Sequence, residues 1–459
     1  MNRAAAEPGA ACARARRLAL VFAFVAAPAA ALRAAASALP AAPAAPAGNV
    51  IDLPTALRLA GAANLDVQFA REKVAEAKAA SDSARARYFP WITPSMVVRR
   101  HEENIQAVNG PILDVDKQSF AAGIALNAQL DLGETYFQNL VARQAVRSQE
   151  AALAGRQREA ALRAATHYFD LVRARAAVAA AEEAAAVADR HADQIGATGD
   201  AGLTFKGDVA RVRAARERAA LAVVRLRAEQ RLAAARLAEV LRLDPAVELA
   251  PADAAPAPLA LDTSSADLGV LISQALAKRP ELDEAAARVE SARTSRRAAT
   301  QGPLVPTLGA QVAVGGLGGG PSGSSVTRDF DLSADYALGV SWRVGPGGLF
   351  DRNRQREAAA RERQGEVEME KTKDAIRRQV VEQHTRVRSL AAQVELTQKA
   401  LEAADQAARL SRQRREASVS AALEDLQAEE ELARARRDHL TTIADYNAAQ
   451  YALRFAVGG

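Results

Sequence analysis

The chain has 459 residues, of which 60 are basic and 55 acidic, and its formal net charge is +5. Five of the basic residues and one acidic residue lie within 1–38, so the rest of the chain carries 55 basic and 54 acidic residues. This near balance, without a basic stripe interleaved with aromatic residues, excludes a typical nucleic-acid-binding function. The single cysteine, Cys12, excludes an internal disulfide, and its position in the leader excludes thiol catalysis by the mature chain.

Residues 1–38 have the three parts of a secretory signal peptide. Three arginines lie within 14–17, an apolar run covers 18–32, and residues 36–38 form an Ala-x-Ala cleavage site. Cys12 precedes the apolar run, whereas the cysteine of a lipoprotein follows it, so we expect an exported protein without a lipid anchor. No later stretch has 18 consecutive apolar residues, so a membrane crossing beyond the leader would have to use β-strands.

Beyond the leader the chain carries one pattern twice, at a shift of about 215 residues. Five positions illustrate the match: Val67, Ala70, Val74, Ala77 and Ala84 fall on Leu282, Ala285, Val289, Ala292 and Ala299. In each copy a helical pattern ends at a proline, and two alternating segments and a long helical run follow. We therefore predict a first repeat over 50–248, a linker over 249–266 and a second repeat over 267–459.

Two segments alternate between apolar residues and polar or small residues, which is the pattern of a strand with one apolar face. They close two predicted β-hairpins, 92–132 and 306–344, and each is longer than the roughly 9–11 residues that a tilted transmembrane strand needs. We expect their apolar faces to contact lipid through Phe120, Ile124, Leu126, Leu130, Phe330, Leu332, Tyr336, Leu338, Val340 and Trp342.

Aromatic residues make up only 4% of the chain, yet they gather at the helix–strand junctions. Such a belt is typical of a membrane–water interface, and with the export signal it favours a membrane sheet over a half-buried sheet of a soluble domain. Four strands cannot close a barrel, so two or three copies would have to share one. The predicted belt consists of Tyr88, Phe89, Trp91, Tyr136, Phe137 and Phe350, with Trp342 at the same end of the hairpins.

Two long helical runs follow the hairpins, over 134–195 and 349–416, and each turns back through a second helix, over 208–243 and 422–456. At 1.5 Å per residue the long runs would measure about 90 and 100 Å. Apolar residues recur at steps of three and four, as in a coiled-coil seam, for example Ala165, Phe169 and Val172, then Ile376, Val380 and Val387. A soluble coiled-coil rod would explain these seams but not the hairpins.

In its order and duplication this pattern resembles the TolC-like outer-membrane efflux proteins, over about residues 50–459. The resemblance rests on the Pro90 and Pro306 junctions, on Gly133 and the Gly345-Pro346-Gly347-Gly348 turn before the long helices, and on the segment from Asp425 to Gly458. It implies a mainly α, TolC-like fold with a transmembrane β-barrel. Four β-strands per chain would contribute to a shared 12-stranded barrel, above a long coiled-coil α-helical barrel.

The resemblance also implies a function and partners. A homotrimer would span the bacterial outer membrane and the periplasm, in contact with outer-membrane lipid. It would be the passive exit channel of a tripartite efflux or type I secretion system. An inner-membrane pump would feed it through a periplasmic adaptor, also called a membrane fusion protein.

Acidic rings line the closed periplasmic tip in this family, and Asp425 stands at the first ring position. The second ring position is Ala428, with Glu429 beside it. Such a ring of carboxylates in a narrow pore would bind cations. For Asp425 alone, a solvated acid near a helix start is the alternative.

A second family feature at the tip is a latch. Asp208 corresponds to an aspartate that bonds the neighbouring helix pair, and Glu416 and Ala421 stand where its tyrosine and arginine partners would be. We therefore expect nearby arginines to replace those partners: Arg412, Arg414 and Arg415.

Nothing in the sequence predicts catalysis, a metal or a cofactor. The five histidines are scattered without metal-ligand spacing. No Gly-x-Ser-x-Gly motif is present, and no Walker lysine follows the glycines of 315–320. The alternative function is that of a periplasmic coiled-coil adaptor or scaffold, which would share the helical hairpins but not two strand pairs with an apolar face.

Overall fold

The computed structural model describes residues 50–201, 205–253, 255–261, 267–416 and 422–459, without the side chains of residues 415, 416, 422 and 423. The predicted leader over 1–38 lies outside them. The helices are α1 (Leu53–Ala63), α2 (Leu65–Ala86), α3 (Leu132–Asp200), α4 (Lys206–Leu241), α5 (Leu268–Lys278), α6 (Pro280–Gln301), α7 (Arg352–Glu416) and α8 (Ala422–Val457). The strands are β1 (Val50–Ile51), β2 (Trp91–His101), β3 (Asn104–Gln106), β4 (Ile112–Asp114), β5 (Lys117–Asp131), β6 (Ala250–Pro251), β7 (Thr307–Pro321) and β8 (Asp331–Ser341).

The duplicated sequence pattern reappears as helices of equal length. Helices α1 and α5 each have 11 residues, α2 and α6 each have 22, and α4 and α8 each have 36. The long helices differ slightly, with 69 residues in α3 and 65 in α7. The mainly α fold predicted from the sequence is therefore confirmed.

Several helix starts are encoded in the local sequence. The carboxylate of Asp52 accepts a hydrogen bond from the backbone N–H of Thr55 at 3.1 Å, and that of Asp131 accepts one from Glu134 at 2.9 Å. These bonds satisfy backbone donors that the first turn of a helix leaves open. Helix α6 begins at Pro280. Proline has no backbone N–H, but the N–H groups of a first turn have no acceptor within the helix, so no hydrogen bond is lost there.

The long helices pack as two pairs, α3 with α4 and α7 with α8, and α3 also packs against α2, α6 and α8. The predicted seams are buried: Phe169 and Val172 lie in one apolar core, and Val380 and Val387 in another. The coiled-coil pattern is thus confirmed as the packing pattern. Within the described part of the chain, no helix is both long enough and apolar enough to cross a membrane.

The four main strands form one antiparallel sheet in the order β2-β5-β7-β8. Strands β2 and β5 are the first predicted hairpin and β7 and β8 the second, and β5 pairs with β7 along its whole length to join the two repeats. The short β3–β4 ribbon extends the loop of the first hairpin. The two predicted hairpins are therefore present as four strands of one sheet, and the four short strands β1, β3, β4 and β6 form two separate two-stranded sheets.

The linker between the repeats is held on helix α8 and on the start of the chain. Strand β6 pairs with β1 in parallel. Further along, the side-chain amide of Asn447 accepts from the backbone N–H of Leu259 at 2.9 Å and donates to the carbonyl of Ala257 at 2.8 Å. Gln450, one helical turn later, makes the same two kinds of bond to the backbone at 259 and 261. These two amides, which we call the amide clasp, join the linker backbone to helix α8.

Candidate functional site: the apolar sheet face and the helix tips

The strand register gathers the apolar residues of all four strands on one side of the sheet. Residues paired directly across a sheet point to the same face. Leu126 of β5 pairs with Ile92 of β2 and with Val312 of β7, and Val312 pairs with Tyr336 of β8. We call this side the apolar sheet face. It consists of Ile92, Pro94, Met96, Val98, Phe120, Ala122, Ile124, Leu126, Ala128, Leu130, Leu308, Ala310, Val312, Val314, Gly316, Leu332, Ala334, Tyr336, Leu338 and Val340.

Most of this face is left uncovered by the rest of the described chain. Leu338 is 85% exposed, Leu332 76% and Tyr336 75%. The opposite side of the same strands carries small and polar residues apart from Trp91, Val97 and Leu317, among them Thr93, Ser95, Asn127, Gln129, Gln311, Ser333 and Asp335. The sheet therefore has one apolar and one polar side, and neither forms a core within the chain.

The two outer strands, β2 and β8, each have a neighbour on one side only within the described residues. Their other edges present unpaired backbone donors and acceptors, which natural proteins seldom leave open along a long strand. The sheet can thus be extended at both edges by further strands.

Two of the expected lipid-facing residues lie at strand ends rather than within strands. Phe330 precedes β8, and its ring packs against Phe120 with the ring centroids 5.8 Å apart. Trp342 follows β8, and its indole N–H donates to the carbonyl of Leu304 at 3.4 Å. The site selected from the sequence also omitted the apolar residues of β2 and β7, whose alternation in the sequence is weaker than that of β5 and β8.

The predicted aromatic belt needs one correction. Phe89, Trp91, Tyr136 and Phe350 are all at least half exposed, and Tyr88 is 37% exposed. Phe137, by contrast, is buried, and its ring lies edge-on to that of Tyr136. It projects from the first turns of α3 toward the junction with α6, so it stabilises the joint between the repeats and cannot face a membrane interface.

At the helix tips, the described side chains do not form the predicted latch. The carboxylate of Asp208 pairs with Arg211 of its own helix at 3.3 Å. Arg412 pairs with Glu429 at 2.8 Å and Arg414 with Glu424 at 2.6 Å, so both arginines join α7 to α8 rather than reaching Asp208. The side chains of residues 415 and 416, and residue 421, lie outside the described part.

The expectation that Asp425 lines a pore is wrong for this chain. The residue is 0% exposed, and its Oδ2 lies 3.4 Å from Nε2 of His191, which is itself 4% exposed. A carboxylate in this position joins α8 to α3 instead of facing water. Sequence reasoning missed His191 because its partner is more than two hundred residues away and no local spacing signals the contact.

Glu429, one turn further along α8, is the other acid of interest at the tip. Burial raises the pKa of Glu429 above its usual value; the guanidinium of Arg412 opposes this shift, and the nearby Asp425 adds to it. This carboxyl therefore takes up a proton more readily than an exposed glutamate does. No group of three or more side chains able to hold a metal ion occurs among the residues that the structure describes.

Comparison with known proteins relates this geometry to one class. The model of the outer membrane efflux protein family matches residues 271–459, which cover the second repeat. No curated protein matches the chain in sequence.

Solved structures resemble the chain over nearly its whole length. A membrane protein from Pseudomonas aeruginosa is 18% identical with a TM-score of 0.75, covering 92% of this chain and 98% of its own. The CmeC outer membrane channel of Campylobacter jejuni is 15% identical with a TM-score of 0.74, covering 88% and 85%. The outer membrane protein VceC of Vibrio cholerae is 17% identical with a TM-score of 0.72, covering 89% and 96%. The chain therefore has the fold of these outer-membrane channels, and its residues 271–459 match the outer membrane efflux protein family.

Proposed function

We propose that this protein is the outer-membrane exit channel of a tripartite efflux or type I secretion system. In this proposal three copies form a passive conduit through the outer membrane and the periplasm. A periplasmic adaptor and an inner-membrane pump supply the cargo. The observation that carries the proposal is the apolar sheet face, which is exposed across four strands while both outer strands have open edges.

The physical argument for a shared barrel starts from those edges. Unpaired backbone groups are not tolerated in hydrocarbon, so a sheet that lies in a membrane must close on itself. The smallest single-chain outer-membrane barrels have about eight strands, and one chain supplies four. Three chains pairing β2 of one copy with β8 of the next would give a closed sheet of twelve, with the apolar sheet face toward lipid and the polar side inward.

The helices support the second half of the proposal. At 1.5 Å per residue, α3 and α7 each extend for about 100 Å. Both start from the same end of the sheet, because β5 and β8, the strands that precede them, are each antiparallel to β7 and so run in the same direction. Helices of this length would carry a conduit far beyond the thickness of a bilayer, which is about 30 Å in its hydrocarbon core.

The first test is the mass of the protein. We would fractionate membranes, extract the protein in detergent and measure its mass by light scattering. A trimer from the outer-membrane fraction supports the shared barrel. A monomer in the soluble periplasmic fraction would contradict it and would favour an adaptor or scaffold, because the sheet would then be covered by another protein.

A pair of neighbouring substitutions tests the orientation of the sheet. Leu338→Arg places a charge on the apolar sheet face, and at mid-depth in a bilayer this costs about 2–4 kcal/mol. We expect membrane assembly of this variant to fall sharply. Ala337→Arg, on the polar side of the same strand, is the matched control and should assemble normally. Equal assembly of both variants, measured by trimer yield in the outer-membrane fraction, would contradict the assignment of lipid and interior sides.

A further inference from the structure

The apolar sheet face ends in polar side chains at the end of the sheet that lies away from the helices. On β2, Val98 is followed on the same face by Arg100. On β5, Phe120 is preceded on the same face by Gln118. Arg100 pairs with Gln118, and Gln118 pairs with Gly320 of β7, so these positions form one row across three strands. The change from apolar to polar residues therefore occurs at one level of the sheet.

The loop between β7 and β8 adds a second arginine to this row. A Cβ atom on Gly320 would lie 3.6 Å from Cδ of Arg328, so the stem of Arg328 lies on the same face as Arg100. The side-chain amide of Gln118 donates to the carbonyl of Ser324 and holds the loop there. Two strand spacings separate the row positions of the two arginines, which is about 10 Å. We call Arg100, Gln118 and Arg328 the outer rim.

The height of the apolar residues places the outer rim relative to a membrane. From Phe120 to Leu130, the apolar residues of β5 extend over about 34 Å, at about 3.4 Å per residue. With a strand tilt of about 45°, this is about 24 Å of height, against an apolar band of about 25 Å in outer-membrane barrels. The outer rim would then lie at the level of the outer head groups. This placement rests on the proposed function.

Both arginines of the outer rim are exposed and only weakly paired. Arg100 lies 2.5 Å from Glu102, and Arg328 lies 3.6 Å from Asp329, with 62% and 60% of the arginine side chains exposed. Water screens such exposed ion pairs, whereas a guanidinium binds a phosphate through two parallel hydrogen bonds. A phosphate group can therefore displace either carboxylate. The other acids at this end lie in the connection between β2 and β5 or on the polar side of the sheet: Glu103, Asp114, Asp116 and Asp331.

We propose that the outer rim binds an anionic lipid whose head group carries phosphate. Arg100 and Arg328 donate hydrogen bonds to the phosphate oxygens. The acyl chains of the same lipid cover Val98, which is 64% exposed, and the ring pair of Phe120 and Phe330, whose centroids lie 5.8 Å apart. A lipid fits this arrangement better than a free phosphate ion, because only a lipid covers the apolar residues directly below the arginines.

The test measures the affinity of the detergent-extracted protein for fluorescently labelled diphosphoryl lipid A, by fluorescence anisotropy. Arg100→Gln and Arg328→Gln should each weaken binding about fivefold, as expected for the loss of one exposed charged contact. The two positions lie about 10 Å apart, so their effects should be nearly additive and the double variant should bind about 25-fold more weakly. A double variant that binds as tightly as the unaltered protein would overturn the proposal.

The neighbouring arginine of the same strand is the matched control. Arg99 pairs with Ser119 and lies on the polar side of the sheet, so Arg99→Gln should leave the affinity unchanged. An equal loss of affinity in Arg99→Gln and Arg100→Gln would show a general effect of charge and would contradict a site on the outer rim.

A change at Glu102 separates direct binding by arginine from a cation bridge. Glu102→Gln removes the carboxylate that competes with phosphate for Arg100, so binding should become about two- to threefold tighter. If Glu102→Gln weakens binding and a chelator of divalent cations abolishes it, acidic side chains hold the phosphate through a bound cation, and the proposal is wrong.

Unlabelled competitors identify the class of ligand. Diphosphoryl lipid A should displace the labelled probe, whereas phosphatidylcholine, whose head group has no net charge, and inorganic phosphate at the same concentration should not. Displacement by inorganic phosphate would overturn the assignment to a lipid. If the protein is a trimer but the double variant loses no affinity, only the lipid site fails. A soluble monomer that binds no lipid would overturn both this proposal and the proposed function.

Discussion

The two repeats of this chain have helices of matching length but unequal surroundings. In the first repeat, α3 packs against α2, α4, α6 and α8, so it lies between both helix pairs. Its counterpart α7 packs mainly against α5, α6 and α8 of its own repeat. The exposed side of α7 carries large apolar residues, namely Val367, Val381, Leu396 and Leu410.

This difference shows what duplication does and does not specify. The repeated pattern encodes the same helices twice, because caps and apolar spacing are local properties. It does not encode the same packing partners for α3 and α7. The second repeat packs onto one side of α3, so α7 lies at the outside. An apolar side of α7 is what one would find if another copy of the chain covered it.

The strongest test of this contrast compares one leucine from each long helix. Leu171 of α3 is fully buried, whereas Leu396 of α7 is 64% exposed. We expect Leu171→Ala to lower the free energy of unfolding by about 2–5 kcal/mol and Leu396→Ala to change it by less than about 0.5 kcal/mol in the separated chain. Denaturant unfolding in detergent measures both values. A large loss for Leu396→Ala in the assembled form alone would indicate that another copy covers α7.

A second test concerns the joint between the repeats. A Cβ atom on Gly133, at the start of α3, would lie 2.3 Å from the carbonyl oxygen of Gly302 at the end of α6. Gly133→Ala should therefore destabilise the protein by about 1–3 kcal/mol, because backbone must move to make room. Gly61→Ala is the matched helical control, since a Cβ there meets nothing within 4 Å. Equal thermal stability of the two variants would show that the joint is loose.

The smallest expected effect concerns the amide clasp of helix α8. Asn447→Ala should cost roughly 1–2 kcal/mol, because the linker backbone loses two hydrogen bonds. The corresponding position of α4 is Arg231, whose side chain is exposed. Arg231→Ala should therefore leave the free energy of unfolding nearly unchanged. Hydrogen exchange of the amide of Leu259 reports the same loss directly. Unchanged protection of that amide in Asn447→Ala would mean that the clasp does not hold the linker.

Local patterns were sufficient for much of the fold. The alternation of apolar and polar residues predicted the strands. The strand register agrees with it, because residues such as Leu126 and Leu338 lie on the predicted apolar face. Steps of three and four placed the seams at Phe169 and Val380. These features depend on side chains within a few residues of each other, and a sequence displays such spacings directly.

The candidate site at the tips could not be read in the same way. Asp425 was expected to face a pore and instead packs against His191, and Phe137 was expected at a membrane interface and instead lies in the joint. Both errors concern which of several neighbouring elements covers a side chain. Arg412 and Arg414 were likewise expected to reach Asp208. Instead, each of these arginines of α7 pairs with a glutamate of α8.

The sequence by itself determined the elements of this protein: two copies of a helix, a strand pair and a long returning helix, each with its apolar side. The reason is that hydrogen bonding and apolar periodicity within one element depend on residues close in the chain. Only the tertiary structure decided which repeat became the centre of the packing and which charges met at the helix tips. The packing between the repeats and the contact of His191 with Asp425 depend on residues far apart in the chain, where burial rather than local spacing selects the partner.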